Sequence, residues 1–395
     1  MTLTQFAASS FGLLTPPSPS PLPSPLPRLK ATRWAISILK PFPRRKAFMG
    51  TLKSCGGESA DLDKRKADAL QYIQEALPNC LTETDLHHTV PGIGRKIRGK
   101  VRDIYEAKDH LILVTTDRLS AFDRVLASVP YKGEVLNQTS VWWFDNTKHI
   151  TSNAFVSAPD PNVTIAKKCK VFPVEFVVRG YLTGSTSTSL WTVYSKGVRS
   201  YCGNVLPEGM SKNERLTCNI LTPTTKSADH DIPISGVEIV KEGLMSDDEF
   251  SEVAGKALSL FAYGQEVALE HGLLLVDTKY EFGKDADGSI LLLDEVHTPD
   301  SSRYWIAATY EEHHRQGLEP ENIDKEFMRL WFKNICNPYE DEILPDAPAE
   351  LVSELAWRYI LLYETITGSR FEFSANMNPI HDRISRNVAE ALRLL

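Results

Sequence analysis

The stretch Leu273-Leu274-Leu275-Val276-Asp277-Thr278-Lys279-Tyr280-Glu281-Phe282-Gly283, a short polar turn, and Ile290-Leu291-Leu292-Leu293-Asp294-Glu295-Val296-His297-Thr298-Pro299-Asp300-Ser301-Ser302-Arg303 read together as one hairpin. Both arms are apolar enough to be buried strands, and Asp287-Gly288 supplies the turn chemistry between them. Period-2 alternation puts Asp277, Lys279 and Glu281 on one face of the first arm and Val276, Tyr280 and Phe282 on the other. A turn centred near Asp287 sets Glu281 roughly opposite Asp294, and two carboxylates about 5 Å apart across a ladder repel. A bound cation turns that repulsion into ligation. Oxygen-only ligands favour a hard ion such as Mg2+, which takes one or two carboxylates plus substrate phosphates. The competing reading is an ordinary hairpin with a wet, charged face. A calcium loop is excluded: Asp285-Ala286-Asp287-Gly288 imitates part of one, but its first ligand position would be Gly283, which has no side chain.

Working outward, 395 residues with 42% hydrophobic content can bury a sizeable core. No apolar run reaches the roughly 18 to 20 residues that span a bilayer, so the sequence gives a membrane role no support. Charge is unevenly spread. Residues 1–57 contain no Asp or Glu and carry +8 from Arg28, Lys30, Arg33, Lys40, Arg44, Arg45, Lys46 and Lys53, so a whole-chain charge of −7 leaves −15 on the remainder. An acidic body argues against general nucleic-acid binding, which needs a Lys and Arg surplus. The six cysteines form no CxxC pair or metal-ligand spacing and read as reduced thiols.

The acid-free N-terminus is rich in Ser, Thr and Pro, as in Thr15-Pro16-Pro17-Ser18-Pro19-Ser20-Pro21. This composition reads as an organelle transit peptide, cut somewhere between about 45 and 75, and not as a secretory signal, since no apolar core precedes a small-residue cleavage site. Its Ser/Pro richness points to the plastid before the mitochondrion. A helix is expected over Asp61–Leu77. Residues 92–131 read as twisted β structure, in which Gly99-Lys100-Val101-Arg102 could cover nucleotide phosphates with backbone N–H groups and positive charge; a basic edge strand that resists aggregation explains the same pattern. The polar segment Thr116–Asp123 follows a buried strand, where binding loops tend to sit. A helix is expected over Glu134–His149, with Trp142, Trp143 and Phe144 as core.

Strands are expected near Val163–Lys168 and Val171–Val178. The second runs into Arg179-Gly180-Tyr181-Leu182-Thr183-Gly184-Ser185-Thr186 and a helix from Ser187 to Lys196. A guanidinium followed by hydroxyls and a helix N-terminus suits a phosphate, although a plain capped helix start has the same look. Residues 197–218 look irregular. The loop Thr222–Ser227, with His230-Asp231, holds one lysine, Lys226. A long helix is expected over Met245–His271, and the helices near Asp324–Lys333 and Ala349–Thr367 look like scaffold.

Taken together, Gly99–Tyr105, Thr116–Asp123, Lys132-Gly133, Pro173–Ser185, Thr222–Lys226, Leu275–Gly283 and Asp294–Arg303 resemble, in order, the SAICAR synthetases of purine biosynthesis. The likeness covers about residues 90–370. Val174 and His297 depart slightly from the family pattern, and 197–220 departs most, which leaves the walls of the amino-acid pocket open. The resemblance implies an α+β, two-lobed fold distantly related to kinases and ATP-grasp. The expected layout is a transit peptide over 1–60, an extension helix over 61–88, a β-rich ATP-phosphate lobe over 89–173 and a larger α/β lobe over 174–395. It implies ATP-dependent joining of L-aspartate to the carboxylate of CAIR (carboxyaminoimidazole ribonucleotide), giving SAICAR, ADP and phosphate with Mg2+, by a monomer or homodimer that uses neither nucleic acid nor membrane. By resemblance, Lys100, Arg102 and Asp103 serve the ATP phosphates, and the Phe172–Glu175 stretch borders adenine. Glu281 and Asp294 take Mg2+. Arg179, Ser185, Asp300, Ser302 and Arg303 hold the ribonucleotide. Lys226, Asp231 and Lys279 face the reacting groups. A small-molecule kinase would share the metal hairpin and the phosphate strand but has no obvious need of the Arg179–Ser185 loop. A catalytically idle nucleotide-binding protein would not need Asp277, Lys279, Glu281 and Asp294 all intact.

Overall fold

The computed structural model describes residues 56–226, 232–373 and 379–395, with side chains from residue 60. The transit-peptide reading therefore lies almost wholly outside the described residues, and Asp231 wholly so. The chain opens with helix α1 (Gly56–Ala76) and the short α2 (Leu86–Thr89), then lays down β1 (Ile97–Arg98), β2 (Arg102–Ala107) and β3 (His110–Thr115). A separate hairpin, β4 (Arg118–Ala121) and β5 (Arg124–Ser128), precedes α3 (Lys132–Asn146), and β6 (Phe155–Asp160) and β7 (Val163–Lys167) complete an antiparallel sheet ordered β1-β2-β3-β7-β6. Gly133 at the start of α3 tolerates no side chain: a Cβ there would sit 2.3 Å from the Thr115 carbonyl oxygen.

The second sheet is built around two long central strands, β8 (Lys170–Leu182) and, much later, β14 (Leu273–Lys284). Between them come α4 (Leu190–Ser195), the hairpin β9 (Ser200–Tyr201) and β10 (Asn204–Val205), β11 (Glu214–Leu221), β12 (Thr224–Thr225), β13 (Ile232–Pro233), α5 (Gly236–Lys241) and α6 (Asp247–Glu270). Ser246 and Glu249 close a capping box at the start of α6, fixing where that helix begins. The arm after β14 is not one strand. It is β15 (Ile290–Leu293), an eight-residue excursion over 294–301, and β16 (Ser302–Ile306), both paired to the same edge of β14. Left-handed backbone at Asp294 (φ 61°) and His297 (φ 49°) breaks the strand. Four helices follow: α7 (Ala307–Gln316), α8 (Glu326–Ile335), α9 (Ala349–Thr367) and α10 (Ile380–Leu392).

Sequence and structure differ in three informative places. Glu281 pairs with Leu293, not with Asp294, which lies one residue past the ladder. Val276 sits at a bulge between Leu275 and Asp277 and packs with Tyr181, Trp305 and Tyr310, on the face away from Tyr280 and Phe282. Arg179 belongs to β8 itself, and only a six-residue helix follows the Gly184-Ser185 turn. The chain passes from the first sheet to the second at Lys167–Lys170, and α10 returns to pack Ile384 and Val388 against Tyr105, Ile112 and Val163 of the first sheet. Trp143 and Phe144 are core, buried with α6, β8 and β14. No described helix is long and apolar enough to cross a membrane, and the five cysteines among the described residues are free thiols.

Candidate active site

Two recesses share Asp294 as a lining residue. One is a charged cleft of about 460 Å³ that Lys100, Arg102, Lys279, Asp294, Asp300 and Lys325 help to line; the other is an apolar slot of about 150 Å³ between the sheets, walled by Ile104, Leu113, Ala154, Ala166, Val171 and Leu293. Asp294 borders both, and Glu281 borders the slot.

At that junction the β14 stripe meets the broken arm. The Lys279 ammonium donates to Glu175 (3.0 Å) and Glu281 (2.7 Å) and lies 3.8 Å from Asp294. Lys226 closes on the other Glu281 oxygen, while Arg102 donates to Asp294 at 2.5 Å and lies 3.3 Å from Glu295. Burial alone would raise the Glu281 carboxyl, but Lys279 and Lys226 hold it below the usual carboxylate range; Asp294 is pushed up, because its burial and the nearby Glu281 outweigh Arg102. Two carboxylates reached by one ammonium are a donor set that suits a hard divalent ion.

The phosphate strand is held from below. Buried Arg118 donates to the carbonyls of Thr82, Gly99 and Lys100 and to Asp103, fixing the Gly99-Lys100 turn. Asp103 is thus a correction to the nucleotide assignment: its carboxylate is fully buried, bound to Arg118 and to the Thr84 N–H and hydroxyl, with no face toward the cleft. Lys100 remains largely exposed on the cleft rim, ion-paired with Asp123. Phe172 is a second correction, since its ring is buried in the core of the larger sheet while the neighbouring Val171 faces the slot. Alternation along β8 decides this.

Asp277, which with Arg179 and Arg303 is not among the residues lining the cleft, accepts from Arg303 (2.6 Å) and lies 3.7 Å from Arg179, whose Nε donates to Thr222 at 2.8 Å. Glu326 receives Ser185, Arg329 (3.1 Å) and Arg303 (3.3 Å); burial opposes its ionisation, but Arg303 and Arg329 hold it at about 2. Gly184 needs its left-handed backbone (φ 110°) and absent side chain to pass Ser189, which a Cβ would meet at 2.3 Å. Asp300 lines the cleft but is itself buried against Lys132 (3.0 Å) and the Tyr359 hydroxyl (2.6 Å). Ser302 is the third correction: it is buried, its hydroxyl is bonded to Thr278 at 2.7 Å, and it is not among the residues lining the cleft.

The Thr116–Asp123 segment, read from the sequence as a binding-loop position, reaches the cleft at its end, whereas Lys325 and Arg329 escaped the sequence reading. Ser120–Asp123 tops the β4–β5 hairpin as a turn with left-handed backbone at both Phe122 (φ 53°) and Asp123 (φ 59°), and this tip borders the cleft. Lys325 and Arg329, one turn apart on and just before α8, also face it; burial lowers the Lys325 ammonium to about 8. The available signal was that i, i+4 pair of cations on an otherwise amphipathic helix.

An apolar slot sized for a flat ring, opening on a cleft of forked cations and paired carboxylates between two antiparallel sheets, defines an α+β protein of the nucleotide-using kind. The SAICAR synthetase pattern matches residues 95–345, and the chain belongs to that family. A chloroplastic phosphoribosylaminoimidazole-succinocarboxamide synthase from Arabidopsis thaliana is 69% identical over 331 residues, covering 84% of this chain and 80% of its own. Among solved structures, the SAICAR synthase of Saccharomyces cerevisiae complexed with SAICAR is similar at TM-score 0.63 and 33% identity, over 74% of this chain and 99% of that one. A SAICAR synthetase in complex with ADP is similar at TM-score 0.54 and 26% identity, over 70% of this chain and all of that one.

Proposed function

We propose that the chain is an ATP-dependent ligase that joins L-aspartate to the carboxylate of CAIR, giving SAICAR, ADP and phosphate in purine biosynthesis. The observation that supports it best is that slot and cleft share Asp294 as a lining residue, with Glu281 beside it in the slot, so that a purine ring could lie in one recess while its phosphates enter the other. Names and bound molecules of the relatives agree with it.

A carboxylate is a poor electrophile, so one of its oxygens first takes the γ-phosphoryl group and ADP leaves; the aspartate amine then attacks the acyl carbon and phosphate leaves. Lys100 and Arg102 receive the ATP phosphates. Arg179, Arg303 and Ser185 receive the ribonucleotide phosphate and its neighbours, Arg303 and Arg179 as forks preset by Asp277. Lys279 stands between Glu175, Glu281 and Asp294, where charge accumulates in both steps, and Lys226 closes the same end. Glu281 and Asp294 would hold Mg2+, which when bound supplies charge neutralisation at the transferring phosphoryl. Holding three substrates in register contributes much of the rest.

Import into the plastid is the accompanying reading, carried by the acid-free segment 1–57 and by the chloroplastic relative. A reporter fused to residues 1–70 should enter plastids; diffuse cytosolic or mitochondrial signal contradicts it. The activity itself is tested by ADP release, which should require aspartate and CAIR together. Release with CAIR alone would make the protein a kinase.

A further inference from the structure

Strands β8 and β14 run paired only as far as Arg179 and Asp277. Continuing that register would set Tyr181 opposite Leu275, but there the strands part: β8 turns to β11, with Arg215 opposite Tyr181, and β14 turns to β16, with Leu275 opposite Tyr304. The opening between them is a recess of about 470 Å³, walled by α6 on one side and α7 on the other. Gln265 of α6 bridges it, donating to the Leu275 carbonyl at 3.3 Å and accepting from Asn219 of β11 at 2.8 Å.

Four polar groups lining this recess, on Tyr181, Arg215, Glu266 and Glu311, are unspent among the described residues. Tyr181 is 4% exposed, its ring set edge-on against Trp305 and Tyr310, yet its hydroxyl has no hydrogen-bond partner among the described residues and borders the recess. Burial keeps that phenol above its usual pKa, so it is a hydrogen-bond donor at neutral pH. Arg215 has no ion pair among the described residues, and neither do Glu266 and Glu311 on the helices that flank it. Leu269, Leu274, Leu275 and Ala307 supply apolar wall.

We propose that this recess is a binding site for a free α-amino acid with an apolar or aromatic side chain, its carboxylate on Tyr181 and Arg215, its ammonium toward Glu266 and Glu311, and its side chain against Leu274 and Leu275. The volume lies within the range of small-molecule sites. Two carboxylates to one guanidinium give the rim a net negative charge, which disfavours a phosphate dianion and leaves a zwitterion as the matching chemistry. The site is separate from the cleft, and Tyr181 and Arg215 take no part in the proposed reaction.

The test is a ligand-detected NMR titration of the full chain with L-phenylalanine, and with 3-phenylpropanoate as the analogue lacking the ammonium. Saturable binding of L-phenylalanine is expected, weaker for the analogue, and weakened about tenfold by Tyr181→Phe and by Arg215→Gln. Turnover of both variants should equal that of the parent. Absence of saturable binding up to about 10 mM overturns the proposal, since no functional affinity would remain. So does undiminished binding in both variants, or a dimer in solution that covers the recess.

Discussion

Replacing Asp300 by Asn asks whether that carboxylate serves the substrate or the fold. Lys132 is entirely buried and its ammonium lies 3.0 Å from Asp300; Tyr359 donates to the other oxygen at 2.6 Å, and Lys325 is 3.9 Å away. Asn keeps an acceptor for Tyr359 but turns an N–H toward Lys132, leaving a buried cation facing a donor. Breaking a buried pair from one side costs about 3 to 5 kcal/mol. Losing the tyrosine bond alone, as in Tyr359→Phe, costs about 1.5 to 3 kcal/mol. The loss should be relieved when the cation goes too: Lys132→Met with Asp300→Asn should be more stable than Asp300→Asn alone. Burial opposes ionisation of Asp300, but Lys132 and Lys325 hold it well below the usual carboxylate value. A depressed folded pKa contributes stability above the unfolded value and loses it as pH falls, so the gap between parent and Asp300→Asn should narrow in acid. Urea unfolding followed by tryptophan fluorescence measures all four proteins. An Asp300→Asn protein as stable as the parent yet inactive would refute the scaffold argument and return Asp300 to the substrate.

Three other substitutions probe the cleft. Asp294→Asn should abolish turnover without loss of stability near pH 7, because burial raises the folded carboxyl and its charged form costs stability as pH rises; parent-like activity would remove Asp294 from the metal site. Arg179→Ala should raise the KM for the ribonucleotide by about tenfold or more and leave that for ATP nearly unchanged; an equal effect on both contradicts the assignment. Ala166→Leu grows into the apolar slot and should raise the KM for ATP by about tenfold with little effect on the ribonucleotide; an unchanged ATP value would move the ring elsewhere.

The hairpin, the charged stripe and the phosphate strand were legible because each is local: alternation on β14 and a glycine-broken basic run are visible within a dozen residues. Register was less so. One residue of error placed Asp294 in the ladder, since left-handed backbone is uncommon at any non-glycine residue and an Asp and a His, though the types more prone to it, do not by themselves announce it. Asp103 and Ser302 misled for a related reason. Their types suit ligands, and only the fold shows that Arg118 and Thr278 already use them. The slot was invisible because its lining comes from strands spread over Ile104 to Leu293, and apolar strand residues look alike whether they face core or cavity.

The chain beyond residue 57 is strongly acidic, yet its substrates are anions. The cleft resolves this by fixing its cations in advance and not by a surplus field: Asp277 and Glu326 hold Arg303, Asp294 and Glu295 hold Arg102, and Glu175 and Glu281 hold Lys279. Each carboxylate lowers the net positive charge that a phosphate meets, but it also removes the rotamer freedom that binding would otherwise have to take from a long side chain. The two effects have opposite signs, so Asp277→Asn decides between them. If net charge dominates, neutralising Asp277 strengthens ribonucleotide binding. If preset geometry dominates, Arg303 loses its 2.6 Å anchor and Arg179 the one carboxylate paired with it among the described residues, and the KM for the ribonucleotide rises by about tenfold. The structure favours the rise, because Arg179 is buried and Asp277 is the carboxylate that the two guanidinium groups share, Glu326 reaching Arg303 alone. A fall in that KM, with ATP unaffected, would show that the acidic partners restrain binding and do not prepare it.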